Sequence, residues 1–200
     1  MAIKGQKAQY THGAFQERHS VDDYPTPPGF ILPLLARLDL PKTDVLWDPC
    51  AGGGHLAQVL RDSGYETKAN DIIHSGDDFL DPTKDYGTSD WVITNPPFKL
   101  GEAFVRKSLS VTTKGVAMLM NASFIETVGR IEGLYTEFPP SLLLMCHRKM
   151  IMRDKTHSMF SHVWIIWDKT KPYTGTSFEY LRLDKAQNLV MPSGVVEGFW

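Results

Sequence analysis

Apolar residues along this chain fall into short runs of two kinds. Some are unbroken: Val45-Leu46-Trp47 ahead of Asp48-Pro49-Cys50, Trp91-Val92-Ile93-Thr94, Gly115 to Met120 (GVAMLM), Ser141 to Cys146 (SLLLMC) and His162 to Asp168 (HVWIIWD). Short runs of this kind predict strands covered on both faces. Others recur at helical spacing: Phe30, Ile31, Leu34, Leu35 and Leu38; Leu56, Val59 and Leu60; and Ala103, Phe104, Val105, Leu109 and Val111. These predict helices, with Pro33 in the first turn of the first one, where a missing N–H is harmless. Tyr65 to Ile73 (YETKANDII) reads as a shorter strand. GDDFLDP, which sets Asp77, Asp78 and Asp81 around Phe79 and Leu80, takes the third strand's place. Strands alternating with helices imply an α/β fold with seven strands, a mostly parallel sheet and helices on both faces. No helical pattern joins the last two strands, so the last strand is expected to be antiparallel. Phe178, Tyr180, Leu181 and Leu183 could add one further strand or a packed arm.

Two of the predicted strands end in unusual residues. Trp91 to Thr94 breaks into Asn95-Pro96-Pro97-Phe98. The prolines lack an N–H and fix φ, so no ladder continues through them. One amide side chain is thereby held at the carboxyl end of a strand, where ligands bind in α/β sheets. The Asn95 oxygen and the Pro96 carbonyl can each accept a hydrogen bond from an exocyclic amine, and Phe98 offers a face for a planar base. Taken alone, the motif could also be a tight turn with Phe98 in the core. The first strand runs into Ala51-Gly52-Gly53-Gly54-His55, ahead of a helix. That arrangement brings backbone N–H groups and a helix N-terminus close to a nucleotide-like ligand, though it is neither GxGxxG nor a phosphate loop. A plain tight turn is the alternative. Asp71, near the end of the second strand, suits the hydroxyls of a ribose, or is a solvated turn residue.

Composition changes this picture little. Two hundred residues fit one domain, and 42% hydrophobic with 22% charged is ordinary for a globular chain. We expect an N-terminal extension over 1–23, partly mobile, and a single domain over 24–200. No apolar run would span a bilayer, and the start of the chain lacks a secretory apolar region. Cys50 and Cys146 are the only cysteines, expected as reduced, buried thiols in a cytoplasmic protein. The net charge of −2 gives no global attraction to nucleic acid. A local basic segment does exist: His147 to His162 carries Arg148, Lys149, Arg153 and Lys155 against one acid, Asp154. It suits a nucleic-acid backbone or is a solvated loop. His147, His157 and His162 lack metal-ligand spacing, so no metal site is expected.

In this order, the proline-rich entry Tyr24 to Phe30 (YPTPPGF), DPCAGGG, Asp71, GDDFLD and NPPF resemble the class I S-adenosylmethionine-dependent methyltransferases. Within them the chain looks like the adenine-N6 DNA methyltransferases, especially the compact ones carried by phages and prophages. The resemblance covers about residues 24 to 168. It implies a Rossmann-like sheet with S-adenosylmethionine over the glycine turn. Tyr24, Thr26 and Pro27 match the N-terminal cofactor motif. Asp48, Cys50, Ala51, Gly52 and Gly54 match the glycine motif, Asp71 the ribose-binding acid, and Asp78 and Phe79 the pair that holds the cofactor adenine. Asn95, Pro96, Pro97 and Phe98 match the catalytic motif. The implied reaction is methyl transfer to the N6 amine of adenine in DNA, double-stranded DNA being the expected partner, with the target base flipped into the pocket. AGGG departs from the family's usual G-[ST]-G form, which is expected to tune the pocket without abolishing it. No stretch is long enough for a separate target-recognition domain. RNA adenine-N6 methylation, protein-glutamine methylation (usually NPPY) and a non-catalytic nucleic-acid or cofactor-binding module remain the alternatives.

Overall fold

The computed structural model describes residues 26–146, 161–183 and 189–190. Helix α1 (Pro28–Leu38) opens the described chain, followed by β1 (Val45–Asp48), α2 (His55–Asp62), β2 (Glu66–Ala69) and β3 (Ser89–Thr94). Then come α3 (Gly101–Val111), β4 (Thr112–Asn121), two short helices α4 (Val128–Glu132) and α5 (Leu134–Glu137), and β5 (Leu142–Cys146). β6 (His162–Asp168), β7 (Ser177–Leu183) and the two-residue β8 (Leu189–Val190) complete it. The strands form one sheet in the order β2-β1-β3-β4-β6-β5-β7-β8. β1, β2, β3 and β4 are parallel neighbours, as are β5 and β7. β6 runs antiparallel between β4 and β5, as expected of the last strand before the tail. The Rossmann-like, mostly parallel architecture is therefore the one the sequence implies.

Alternate residues of the inner strands enter two separate cores. Leu46, Trp91, Ile93, Ala117, Leu119 and Trp164 face α1 and α2, while Trp47, Val92, Val116, Met118, Met120 and Ile165 face α3. Both faces are dry, so the inner strands carry apolar residues at every position. Three local expectations are corrected. GDDFLDP is a set of turns, not a strand: Asp78 Oδ1 accepts the Leu80 N–H at 2.9 Å, and Asp81 Oδ1 the Thr83 N–H at 2.8 Å. Side chains that satisfy their own backbone leave no ladder to form. β2 is accordingly the sheet's edge, and the tail supplies the extra strand, β7. Second, α1 begins at Pro28, so Pro33 lies inside the helix, beyond its first turn. Third, Cys146 is buried but Cys50 only half-buried.

Candidate active site

Strands β1 and β3 end on the same edge of the sheet as β2, and the candidate residues converge there. The β1–β2 ladder extends past both strands: the Asn70 N–H donates to the Asp48 carbonyl (3.0 Å), and the Ala51 N–H to the Asn70 carbonyl (2.9 Å). The glycine turn then folds over to α2. Gly52 and Gly54 sit at φ of 51° and 82°, where a side chain would be strained. A Cβ at Gly54 would meet nothing within 4 Å, so it is conformation, not crowding, that calls for glycine there. A Cβ at Gly53, by contrast, would meet the His55 ring at 3.1 Å.

Asp71 is not a solvated turn residue; it is 5% exposed. Its Oδ2 accepts the Gly52 N–H at 3.0 Å, and its Oδ1 the N–H groups of Ile73 and His74 at 2.8 and 3.1 Å. It ties the glycine turn to the end of β2. Asp48 is buried deeper, at 1%. Its Oδ1 accepts the Thr94 hydroxyl (2.7 Å) and, at 3.4 Å, the Cys50 N–H, while Oδ2 has no hydrogen-bond partner among the described residues. Burial pushes the Asp48 carboxyl up to about 7, opposed by the Thr94 and Cys50 bonds and assisted by the charge of Asp71.

Beside the glycine turn lies a small hollow lined by Pro49, Cys50, Ile72, Asp78, Phe79 and Pro97, with Asp77 and Phe104 completing the wall. Phe79 is 2% exposed and packs edge-on against Trp47, with ring centroids 5.1 Å apart. Lys107 of α3 stands over the Phe79 ring at 5.4 Å and donates to the Asp81 carbonyl, which holds the Asp78-Phe79 turn against the sheet. The hollow thus joins the end of β1, the Asp78-Phe79 pair and the proline motif after β3.

In that motif Asn95 is half-exposed between buried Thr94 and buried Pro96. Its Nδ2 donates to the Thr26 hydroxyl at 3.2 Å. Pro97 is half-buried. Phe98 is 36% exposed, so it is not the core residue of a plain turn; its ring lies 6.0 Å from that of His162. Thr26 is 6% exposed, and Pro27 caps α1 in extended conformation. Asp48, Cys50, Ala51, Gly52, Gly54, Asp71, Asp78, Phe79 and Asn95 to Phe98 are all found on this edge. Tyr24, Arg148, Lys149, Arg153 and Lys155 lie outside the described residues. Four residues here escaped the sequence reading: Thr94, Ile72, Phe104 and His162. Thr94, Ile72 and Phe104 read as ordinary members of strand or helix runs, and His162 only as a histidine without metal-ligand spacing.

No family model matches this chain, and no curated protein does. Solved structures do share its fold. A candidate class I S-adenosylmethionine-dependent methyltransferase from Listeria monocytogenes superposes with a TM-score of 0.57 at 14% identity, over 80% of this chain and 67% of that one. A modification subunit of a candidate type I restriction enzyme from Vibrio vulnificus gives 0.53 at 13% identity, over 86% of this chain and 51% of the subunit. This chain therefore spans about half the Vibrio subunit's length. A candidate RNA methyltransferase from Pyrococcus horikoshii gives 0.51 at 19% identity, over 73% and 87%. The chain shares the Rossmann-like fold of these structures.

Proposed function

We propose that the protein transfers a methyl group from S-adenosylmethionine to the N6 amine of adenine in DNA. One observation carries this reading. The end of β1, the Asp78-Phe79 pair and Pro97 line one hollow, so the cofactor-binding and acceptor-binding residues share a rim. The residues fit the cofactor. The hollow is apolar with carboxylates at its edge, as a purine with an exocyclic amine requires. The N-terminus of α2 suits a carboxylate. The buried Asp48 Oδ2 lacks a partner among the described residues, which suits a cationic group. Asp71 is at hand for ribose hydroxyls, in exchange for backbone bonds it now accepts.

When bound, S-adenosylmethionine supplies an electrophilic methyl group. The chain's own residues act on the acceptor. Asn95 Oδ1 and the Pro96 carbonyl accept the two hydrogens of the amine and draw its lone pair out of conjugation with the ring. Phe98 stacks on the flipped base. The nitrogen so oriented would take the methyl group from the sulfonium, and one amine proton would leave to water. This is catalysis by orientation and preplaced acceptors, not by acid–base exchange. The DNA reading is supported by the Asn-Pro-Pro-Phe sequence and by likeness over 86% of the chain to a restriction-modification subunit. Arg148, Lys149, Arg153 and Lys155 are assigned to the phosphate backbone.

The test is methyl transfer from labelled S-adenosylmethionine, offered separately to double-stranded DNA, single-stranded DNA, RNA and protein. Product nucleosides are then identified by mass spectrometry. N6-methyladenine in DNA is the expected product. Label confined to RNA or protein would replace the substrate, and label nowhere would overturn the enzymatic reading.

A further inference from the structure

We propose that Asn70 is a positioning residue that ties together the two walls of the hollow and thereby sets its affinity for the cofactor. This rests on the reading that S-adenosylmethionine binds there. One wall is the end of β1, with Pro49 and Cys50; the other is the turn Asp77-Asp78-Phe79. Asn70 is the first residue past β2, and it meets both. Its backbone N–H donates to the Asp48 carbonyl at 3.0 Å, and its carbonyl accepts the Ala51 N–H at 2.9 Å, so it brackets Pro49 and Cys50. Its side chain reaches the other wall. Oδ1 accepts the Trp47 indole N–H at 2.7 Å, and Nδ2 donates to Asp77 Oδ2 at 3.3 Å.

The two partners decide which end of the amide faces which. An indole N–H can only donate, so it requires the amide oxygen. An ionised carboxylate can only accept, so it requires the NH2 group. Asp77 is kept ionised: the bond from Lys84 Nζ, at 3.2 Å, leads the groups that lower its pKa, with Ser75 and Asn70 behind it. Turned over, the amide would set N–H against N–H and oxygen against oxygen. Asn70 is therefore a directed crosspiece, and each of its contacts leads to a residue of the hollow. Trp47 is 1% exposed and is the surface against which the Phe79 ring packs, so the indole bond holds the floor under Phe79. Asp77 opens the turn that carries Asp78 and Phe79. The Tyr86 hydroxyl, donating to the Asp78 carbonyl at 2.9 Å, secures the turn from the side away from Asn70's two partners. An aspartate in place of Asn70 could still accept from Trp47 but would repel Asp77, so the position calls for an amide.

The experiment measures S-adenosylhomocysteine affinity by calorimetry for the native protein, Asn70→Asp, Asp77→Asn and the double variant Asn70→Asp/Asp77→Asn. Asn70→Asp keeps an oxygen for Trp47 and sets a second carboxylate against Asp77. Asp77→Asn keeps an acceptor for the Asn70 amide and gives up only the partly exposed ion pair with Lys84. The double variant exchanges donor and acceptor and forms the bond again. We expect affinity to fall by about 10-fold in Asn70→Asp and by a smaller factor in Asp77→Asn. The double variant should bind more tightly than Asn70→Asp and match Asp77→Asn. A purely structural role for Asn70 would make the second substitution worsen the first. The Trp47 indole N–H resonance reports the other contact, and it should keep its hydrogen-bonded shift in all three variants, which traces the loss to the Asp77 side. Should Asn70→Asp fail to fold, recovery of both folding and affinity in the double variant supports the proposal, and a folded double variant weaker than Asp77→Asn by 10-fold or more overturns it. Unchanged affinity in Asn70→Asp, or a double variant no tighter than Asn70→Asp, would also overturn it. If the native protein does not bind S-adenosylhomocysteine, the cofactor reading itself fails and this proposal with it; native binding that ignores the exchange removes Asn70 alone.

Discussion

Two aspartates stand at opposite ends of β1, and the protein treats them differently. Asp44 precedes the strand and Asp48 ends it; they are 0% and 1% exposed, and each has an Oδ2 without a hydrogen-bond partner among the described residues. At the amino edge the charge is answered. Lys114 Nζ lies 2.5 Å from Asp44 Oδ1 and 3.4 Å from Asp90 Oδ1. Asp90 also accepts the Val45 N–H and the Thr113 hydroxyl. The hydrogen bond to Asp44 raises the Lys114 pKa, and the Val45 N–H leads the groups that lower that of Asp90. At the carboxyl edge Asp48 has a hydroxyl and a long backbone contact, with Asp71 adding a like charge and Arg61 a weaker opposing one. No ion pair to Asp48 is found among the described residues, and its carboxyl is pushed up to about 7. Charge buried without compensation is costly unless something else supplies the partner. One end of β1 is closed by an ion pair; at the other the carboxylate has none among the described residues.

Substitutions at the two edges should therefore separate activity from stability. The largest effect is expected from Asn95→Ala, which removes the proposed acceptor of the target amine. Methyl transfer should fall by about 10²- to 10³-fold with S-adenosylhomocysteine affinity nearly intact. Loss of both together, measured by kinetics and calorimetry, would make Asn95 a structural residue. Next is Asp48→Asn. The folded pKa of about 7 lies above the unfolded value of about 3.9, so the folded state holds the extra proton between them. Native stability should accordingly fall as pH rises through that window, by up to about 4 kcal/mol from this group. Asp48→Asn should remove that slope, as urea unfolding compared at pH 4.5 and pH 8 would read. An unchanged slope would mean that Asp48 is not the group responsible.

A smaller loss is expected from Asp71→Ala. It removes the tie between the glycine turn and β2 together with the ribose acceptor, so cofactor affinity should drop by about 10- to 100-fold. Unchanged affinity by calorimetry would remove the ribose assignment. At the amino edge, Lys114→Ala should lower the melting temperature, since it strands Asp44, and leave kcat per folded molecule unchanged. A fall in kcat without a fall in melting temperature would erase the distinction between the edges.

How much of this was legible follows from where each signal lies. The inner strands were readable because residues such as Leu46, Trp91 and Trp164 on one face and Trp47, Val92 and Ile165 on the other are all apolar. The NPPF and glycine motifs were readable because each is contiguous. GDDFLDP misled because Phe79 is as buried as a strand residue, while the aspartates that turn the chain there look like flanking polarity. β7 was ambiguous because Phe178 and Tyr180, at 47% and 53% exposure, lie on a face that stays open, so its hydrophobicity did not divide into inside and outside. The Thr26–Asn95 bond joins residues 69 positions apart, and no local pattern encodes it. The pairing of Asp44 with Lys114 is likewise invisible in sequence, whereas Asp48 was marked by its place in the DPCAGGG motif.

The central claim, that the carboxyl edge is built to receive a ligand and the amino edge is not, is tested most directly by NMR titration of the native protein with S-adenosylhomocysteine. The account predicts amide shifts at Ala51 to Gly54, Asp71, Ile72, Asp78 and Phe79, with Asp44, Val45, Asp90 and Lys114 unmoved. Shifts centred on the amino edge, or no saturable shift anywhere, would contradict it.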